Sequence, residues 1–210
     1  MIFGFLLFPE LEELDLVGPW EMISMWSQYL DGPERCLMIA ETNEPVHCSK
    51  GMVIQPHASF KTAPQLDYLL VPGGVGTRAE VKNKQLIDFV SNQAKQCKAV
   101  LSVCTGAFIL QASGLLNGKK ATTHWLSLDR LRESAAVDVI EERIVRDGNV
   151  WTSSGVSAGI DLALEFIKHT VGEEVAGKVQ SFTEYYPSGK KYGAFHLDPK
   201  SPEYISKKSR

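Results

Sequence analysis

The residues of this chain best suited to chemistry lie in the stretch Ala99–Ala107, AVLSVCTGA, where an apolar run stops at a cysteine and a small residue and a glycine follow. A cysteine attacks as its thiolate, a form favoured by free N–H groups and by the positive end of a helix dipole. Ala99, Val100, Leu101 and Val103 suit a buried strand, the run being too short for an ordinary helix. Thr105, Gly106, Ala107 and the apolar residues after them suit a helix that starts at once. This predicts Cys104 at the carboxyl end of a central strand, on a tight strand-to-helix turn beside a helix N-terminus. The competing role for Cys104 is plain packing, because cysteine is among the most buried residue types.

Other strand ends supply partners. Asp15, in ELDLVGPWE, is either a turn or cap acceptor or a carboxyl group that moves a proton for Cys104. Pro72-Gly73-Gly74-Val75-Gly76 lacks the lysine of a P-loop and the spacing of a dinucleotide fingerprint. It is either a flexible loop or a place where backbone N–H groups approach developing negative charge. His124, in TTHW, is either held by backbone or a partner for the thiolate or the substrate. Gly155 follows a further strand. Glu12, Glu13 and Glu21 read as solvated surface, and His47, His57, His169 and His196 as structural.

The elements that must position these groups alternate between strand and helix, which predicts an α/β fold with helices on both faces of a mostly parallel sheet. Strands are expected at Ile2–Phe8, Cys36–Glu41 and Tyr68–Val71, with hairpins over Val46–Gln55 and Ile144–Ser153. A helix is expected from about Gly18, with Pro19 at its first position. Leu86, Phe89, Val90, Ala94 and Cys97 mark one helical face and make Cys97 a core residue. Further helices are expected after Cys104, over Trp125–Arg132, around Ile160–Val171 and over Glu173–Glu184. Ligands bind at the carboxyl edge of such sheets, where Asp15, Gly73, Gly74, Cys104 and Gly155 all fall.

With 210 residues, 44% of them hydrophobic, the chain can bury a sizeable core as one domain over 1–184, followed by an arm or disordered tail over 185–210. A net charge of −3 gives no basic balance for nucleic acid, and no apolar run is long enough to span a membrane. IFGFLLF reads as a first strand rather than a signal peptide. The four cysteines show no CxxC spacing and the five histidines are scattered, so neither disulfides nor a metal centre is expected and a reducing cytoplasm fits.

Five segments, LFPELEELDLVGPWE, LLVPGG, LSVCTGAFIL, ATTHW and IVRDGNVWTSSGVSAGIDLAL, resemble in order the ThiJ/PfpI superfamily, over roughly Ile2 to Glu184. Within it the chain looks most similar to isonitrile hydratases and to the amidotransferase-like domains of AraC-type regulators. The resemblance implies a flavodoxin-like three-layer sandwich in which Cys104 is the nucleophile on a strained elbow and Asp15 its carboxylate. Gly74 maps to the glycine whose amide, with that of residue 105, forms an oxyanion-hole pair, and His124 maps to the histidine of the THW segment. Thr105 stands where protease-like members carry histidine, which argues against a peptidase. Asp15 in place of a longer glutamate counts against glyoxalases.

The activity implied is hydration of an isonitrile to an N-substituted formamide, without metal or organic cofactor. Thr105 would orient Asp15 or water, and Trp20, Trp125 and Val156 would wall the pocket. Two alternatives remain: a glyoxalase- or deglycase-like hydrolase of reactive carbonyls, and a thiol sensor or ligand-binding module related to the regulators. The residues after Glu184 are too few and too proline-rich for a helix-turn-helix, so nucleic-acid binding is not expected. A homodimer is implied.

Overall fold

In a computed structural model, residues 1–206 are described; 207–210, the end of the expected arm, lie outside the described residues. The first half runs β1 (Ile2–Leu6), α1 (Glu13–Tyr29), β2 (Arg35–Ala40), β3 (Val46–His47), β4 (Val53–Ile54), β5 (Ala58–Ser59), β6 (Tyr68–Val71), α2 (Thr77–Glu80) and α3 (Lys84–Ala94). The second continues with β7 (Ala99–Val103), α4 (Gly106–Ala112), β8 (Lys119–Ala121), α5 (Leu128–Arg132), β9 (Val137–Val139), β10 (Ile144–Asp147), β11 (Val150–Ser153), α6 (Ala158–Val171), α7 (Glu173–Phe182) and α8 (Glu203–Ser206).

The main sheet has the order β10-β11-β7-β6-β1-β2-β5. All neighbouring pairs are parallel except β10 with β11. Its centre, β2-β1-β6-β7-β11, has the flavodoxin-like order, and the connections reverse direction between β1 and β6. The helices that follow β1 and β6 lie on opposite faces, while the loops leading to them pair at the carboxyl edge, Glu12 N–H donating to the Gly73 carbonyl at 2.9 Å and Gly76 N–H to that of Glu10 at 3.1 Å. β7, next to β6, delivers Cys104 to the same edge.

Helices α1, α6 and α7 pack together on one face, while α2 and α3 pack on α4 on the other. The central strands are buried on both faces: every residue of β6, β7 and β11 is buried, as parallel strands between helical layers must be. Phe166 of α6 anchors the core, with the rings of Phe3, Tyr68 and Trp151 set edge-on around it. Cys97 is buried as expected, but it lies past the end of α3, in the connection to β7, and not on the helical face with Leu86 and Val90.

Several sequence expectations shift. α1 starts at Glu13 rather than near Gly18, so Pro19 lies inside the helix. A proline there removes the N–H that would bond the Asp15 carbonyl. Gly159 of α6 makes room for its ring, since a Cβ there would sit 3.1 Å from Pro19 Cδ. The segment over Trp125–Arg132 splits into a 3₁₀ turn, Trp125–Ser127, and α5. A small parallel pair, β8 with β9, was not foreseen. The expected arm carries a 3₁₀ turn at Phe195–Leu197 and α8.

Candidate active site

Four loops at the carboxyl edge converge. Cys104 lies between β7 and α4 with φ of 55°, a left-handed conformation that costs a non-glycine residue on the order of 1–2 kcal/mol. Its N–H donates to the carbonyls of Ser153 and Ser154 at 3.1 Å, and its own carbonyl accepts from Thr123 Oγ1 at 2.8 Å. The backbone bend is thus pinned from both sides. Val156, after β11, is a second positive-φ residue at 42°, and for a β-branched side chain that is a strained position. Its N–H and that of Thr105 act on the Cys104 sulfur.

Asp15 sits in the first turn of α1 with no exposed surface. One carboxyl oxygen, Oδ2, accepts the Gly73 N–H at 2.9 Å. The other, Oδ1, has no hydrogen-bond partner of full geometry among the described residues, and the Cys104 thiol is in contact with this carboxyl group. Gly73 is required there: a Cβ would stand 2.6 Å from Thr105 N and 2.7 Å from both Asp15 Oδ2 and Thr105 Oγ1. Glycine at this position lets the carboxylate, the thiol turn and the loop after β6 close on one another.

Burial sets the protonation of the pair. It pushes Asp15 up to about 8, with the charge of Glu12 adding and the Gly73 N–H and the thiol opposing. Burial, then the negative charge of Asp15, push Cys104 up to about 12 against the pull of the Thr105 and Val156 amides and the Thr105 hydroxyl. Burial beside a carboxylate works against the thiolate that the turn was expected to favour, and Asp15 is the adjacent group able to take the thiol proton.

The sequence candidates are otherwise distributed as follows. Thr105 Oγ1 accepts the Gly74 N–H at 2.9 Å and donates to the Gly74 carbonyl at 3.1 Å. The hydroxyl is therefore locked to the loop rather than to Asp15. The Gly74 amide, implied as half of an oxyanion pair with residue 105, is occupied by that hydroxyl; the Thr105 and Val156 amides face the sulfur instead. His124 caps its 3₁₀ turn, Nδ1 accepting from the Leu126 N–H at 3.2 Å, so Nε2 carries the proton. Burial keeps its pKa below the ordinary histidine value, opposed by Glu12. Gly155 lies against the ring, its missing Cβ making room for Cδ2 and Nε2.

Cys104 opens on a cavity of about 190 Å³, whose walls include Gly74, Thr105, His124 and Val156. Of the expected wall residues only Val156 lines it; Trp20 stacks on His57 and meets Phe5 edge-on, away from the cavity. Glu12 also faces the cavity and is ion-paired with Lys50, while Glu13 accepts from the Lys50 N–H at 2.6 Å. Both are more enclosed than the surface role expected of them. Sequence reading placed Gly73 at the carboxyl edge but not against Asp15, and it passed over Arg78, Arg130 and Tyr204. The last comes from the expected arm and lies against Ser154, burial raising its phenol.

The DJ-1/PfpI family profile matches residues 3–169. An isonitrile hydratase of Pseudomonas putida is 40% identical over 185 residues, 88% of this chain and 78% of that protein. The HTH-type transcriptional regulator GbdR of Pseudomonas aeruginosa is 31% identical over 87% of this chain but only 50% of its own length. A solved ThiJ/PfpI family protein from Pseudomonas syringae superposes with a TM-score of 0.84 at 34% identity, covering 92% of this chain and 78% of its own. Profile, relatives and architecture agree with the order of segments in the sequence, and the chain belongs to the DJ-1/PfpI family.

Proposed function

We propose that this protein hydrates isonitriles to N-substituted formamides, with Cys104 as nucleophile and Asp15 as the group that takes and returns its proton. The observation that supports the reading is the fully buried Asp15 carboxyl, anchored by the Gly73 N–H through Oδ2 and interacting with the Cys104 thiol. The likeness to an isonitrile hydratase supports the choice of substrate.

Asp15 removes the thiol proton as the sulfur bonds to the terminal isonitrile carbon, and returns that proton to the same carbon. The product is a thioimidate, R–N=CH–S–Cys104. Asp15, again ionised, takes a proton from water as its oxygen adds to the thioimidate carbon. Asp15 passes that proton to the nitrogen, the added hydroxyl loses its own proton to Asp15 as the C–S bond breaks, and Asp15 returns this second proton to the sulfur, so that R–NH–CHO leaves with Cys104 regenerated as thiol. Isonitrile and water supply every atom of the product, and no cofactor enters. The Thr105 and Val156 amides stabilise the sulfur whenever it carries negative charge. His124, neutral with Nε2–H, offers a donor to the substrate.

The catalytic unit is residues 1–184, with 185–210 an accessory arm, and the protein acts as a homodimer in a reducing cytoplasm. Sedimentation equilibrium checks the dimer: twice the 23.2 kDa chain mass is expected, and a monomer would count against it. Purified protein given cyclohexyl isocyanide should release the formamide, and Cys104→Ala should abolish release. Methylglyoxal assayed alongside should be the poorer substrate, and the reverse preference would move the assignment to carbonyl hydrolysis.

A further inference from the structure

Two arginines stand at the opening of the Cys104 cavity. Arg78, exposed on α2, and Arg130, half-buried on α5, both line it, and both also line a wider groove of about 610 Å³ beside it. Their helices come from different parts of the chain: α2 follows the glycine loop after β6, and α5 follows the His124 turn. Arg130 lies over the Phe108 ring of α4, its guanidinium carbon 3.5 Å from the ring centroid. Neither guanidinium forms an ion pair among the described residues, whereas Arg132, on the same helix as Arg130, pairs with both Asp129 and Glu141.

Two cations gathered at one opening repel each other. The guanidinium of Arg130 is desolvated and feels Arg78 as a like charge, both effects lowering its pKa, with Glu133 in partial opposition. The remaining charged group on the cavity wall, Glu12, is held by Lys50, and His124 is neutral. Glu133, on the groove, offsets Arg130 only in part, and within the cavity two arginines face one already paired glutamate, so the opening keeps a local positive charge. An anion placed between the two guanidinium groups would relieve the repulsion and gain charge-assisted hydrogen bonds.

We infer that Arg78 and Arg130 bind an anionic group of the substrate, so that the natural substrate is a small isonitrile bearing a carboxylate. The carboxylate rests on the arginines while the isonitrile carbon reaches Cys104, and a cavity of about 190 Å³ limits the link between them to a short one. The isonitrile half of this statement rests on the function proposed above; the anion site does not.

The two halves are tested separately. Iodoacetate and iodoacetamide differ in charge and hardly in size, so the ratio of their alkylation rates at Cys104, read by peptide mass spectrometry, reports anion attraction without turnover. That ratio, relative to glutathione, should fall about threefold to tenfold in Arg78→Gln and in Arg130→Gln. Arg130→Lys, which keeps the charge, should preserve most of it. A ratio unchanged in both glutamine variants overturns the anion site, as does equal slowing by both reagents. With isocyanoacetate and its methyl ester as substrates, the glutamine variants should raise KM for the acid alone. No turnover of either isonitrile, with the alkylation effect intact, removes the isonitrile assignment and leaves the anion site. Turnover of the ester by a protein whose Cys104 ignores reagent charge removes the anion site alone.

Discussion

Asp15 and Cys104 are best understood as a pair with one mobile proton. Both are raised by burial, to about 8 and about 12, so between those values the carboxylate is ionised and the thiol intact. That is the form in which the base can drive the nucleophile. kcat/KM for an isonitrile should therefore rise with pH to a plateau above about 8, measured from initial rates between pH 5 and 10. Asp15→Asn keeps the shape but loses the base, and kcat/KM should fall by roughly 10²–10⁴. In the same variant the Cys104 thiol should titrate lower than in the wild type, because the charge that pushes it up has gone. The pH dependence of iodoacetamide alkylation at the Cys104 peptide, separated from the other three cysteines by mass spectrometry, reads this shift. Unfolding would also lower the thiol by exposing it, so the shift is read in a variant whose circular dichroism and cooperative urea unfolding match the wild type.

At the level of elements, the site depends on how closely α4 approaches the end of β6. Gly106 opens α4, and a Cβ there would lie 2.3 Å from the Val71 carbonyl oxygen and 2.7 Å from that of Pro72. Backbone cannot yield as a side chain can, so Gly106→Ala should cost on the order of 2–3 kcal/mol in urea unfolding and lower activity as well. Gly177, in α7, has open space around it, and Gly177→Ala should instead stabilise by about 0.5–1 kcal/mol without touching activity. Elements with one strong signal were legible in the sequence: Tyr68–Val71 is a strand with the expected bounds, and the Lys50-Gly51 turn does join β3 to β4. The start of α1 was not, because Pro19 obeys the rule for a first helical position while packing against Gly159 lets it sit within the helix. β8 and β9 are three residues each, too short for alternation to show. The loops carrying Asp15, Gly73 and Cys104 could be found because each ends a clear strand. Arg78 and Arg130 could not, since only the tertiary fold brings their two short helices together.

For the molecule as a whole, burying Asp15 has a stability cost that depends on pH. Folded, it binds its proton more tightly than the unfolded chain does, where its pKa is roughly 4. Below that value it is protonated in both states and carries no penalty. As pH rises toward about 8 the unfolded state gains from ionisation first, so stability falls across that window. Asp15→Asn should thus raise Tm more at pH 9 than at pH 5, by the equivalent of a few kcal/mol, roughly, at the higher pH. A gain independent of pH would deny that Asp15 is buried with a raised pKa. The same carboxyl edge gathers the proton pair, the strained turns at Cys104 and Val156, and the unpaired arginines, while the opposite edge and the core carry the packing. The most direct test of the whole account is rapid-quench mass spectrometry of the protein mixed with an isonitrile. A transient adduct of the full isonitrile mass on the Cys104 peptide, decaying as formamide appears, is the predicted result. Formamide produced at an undiminished rate by Cys104→Ala would contradict it.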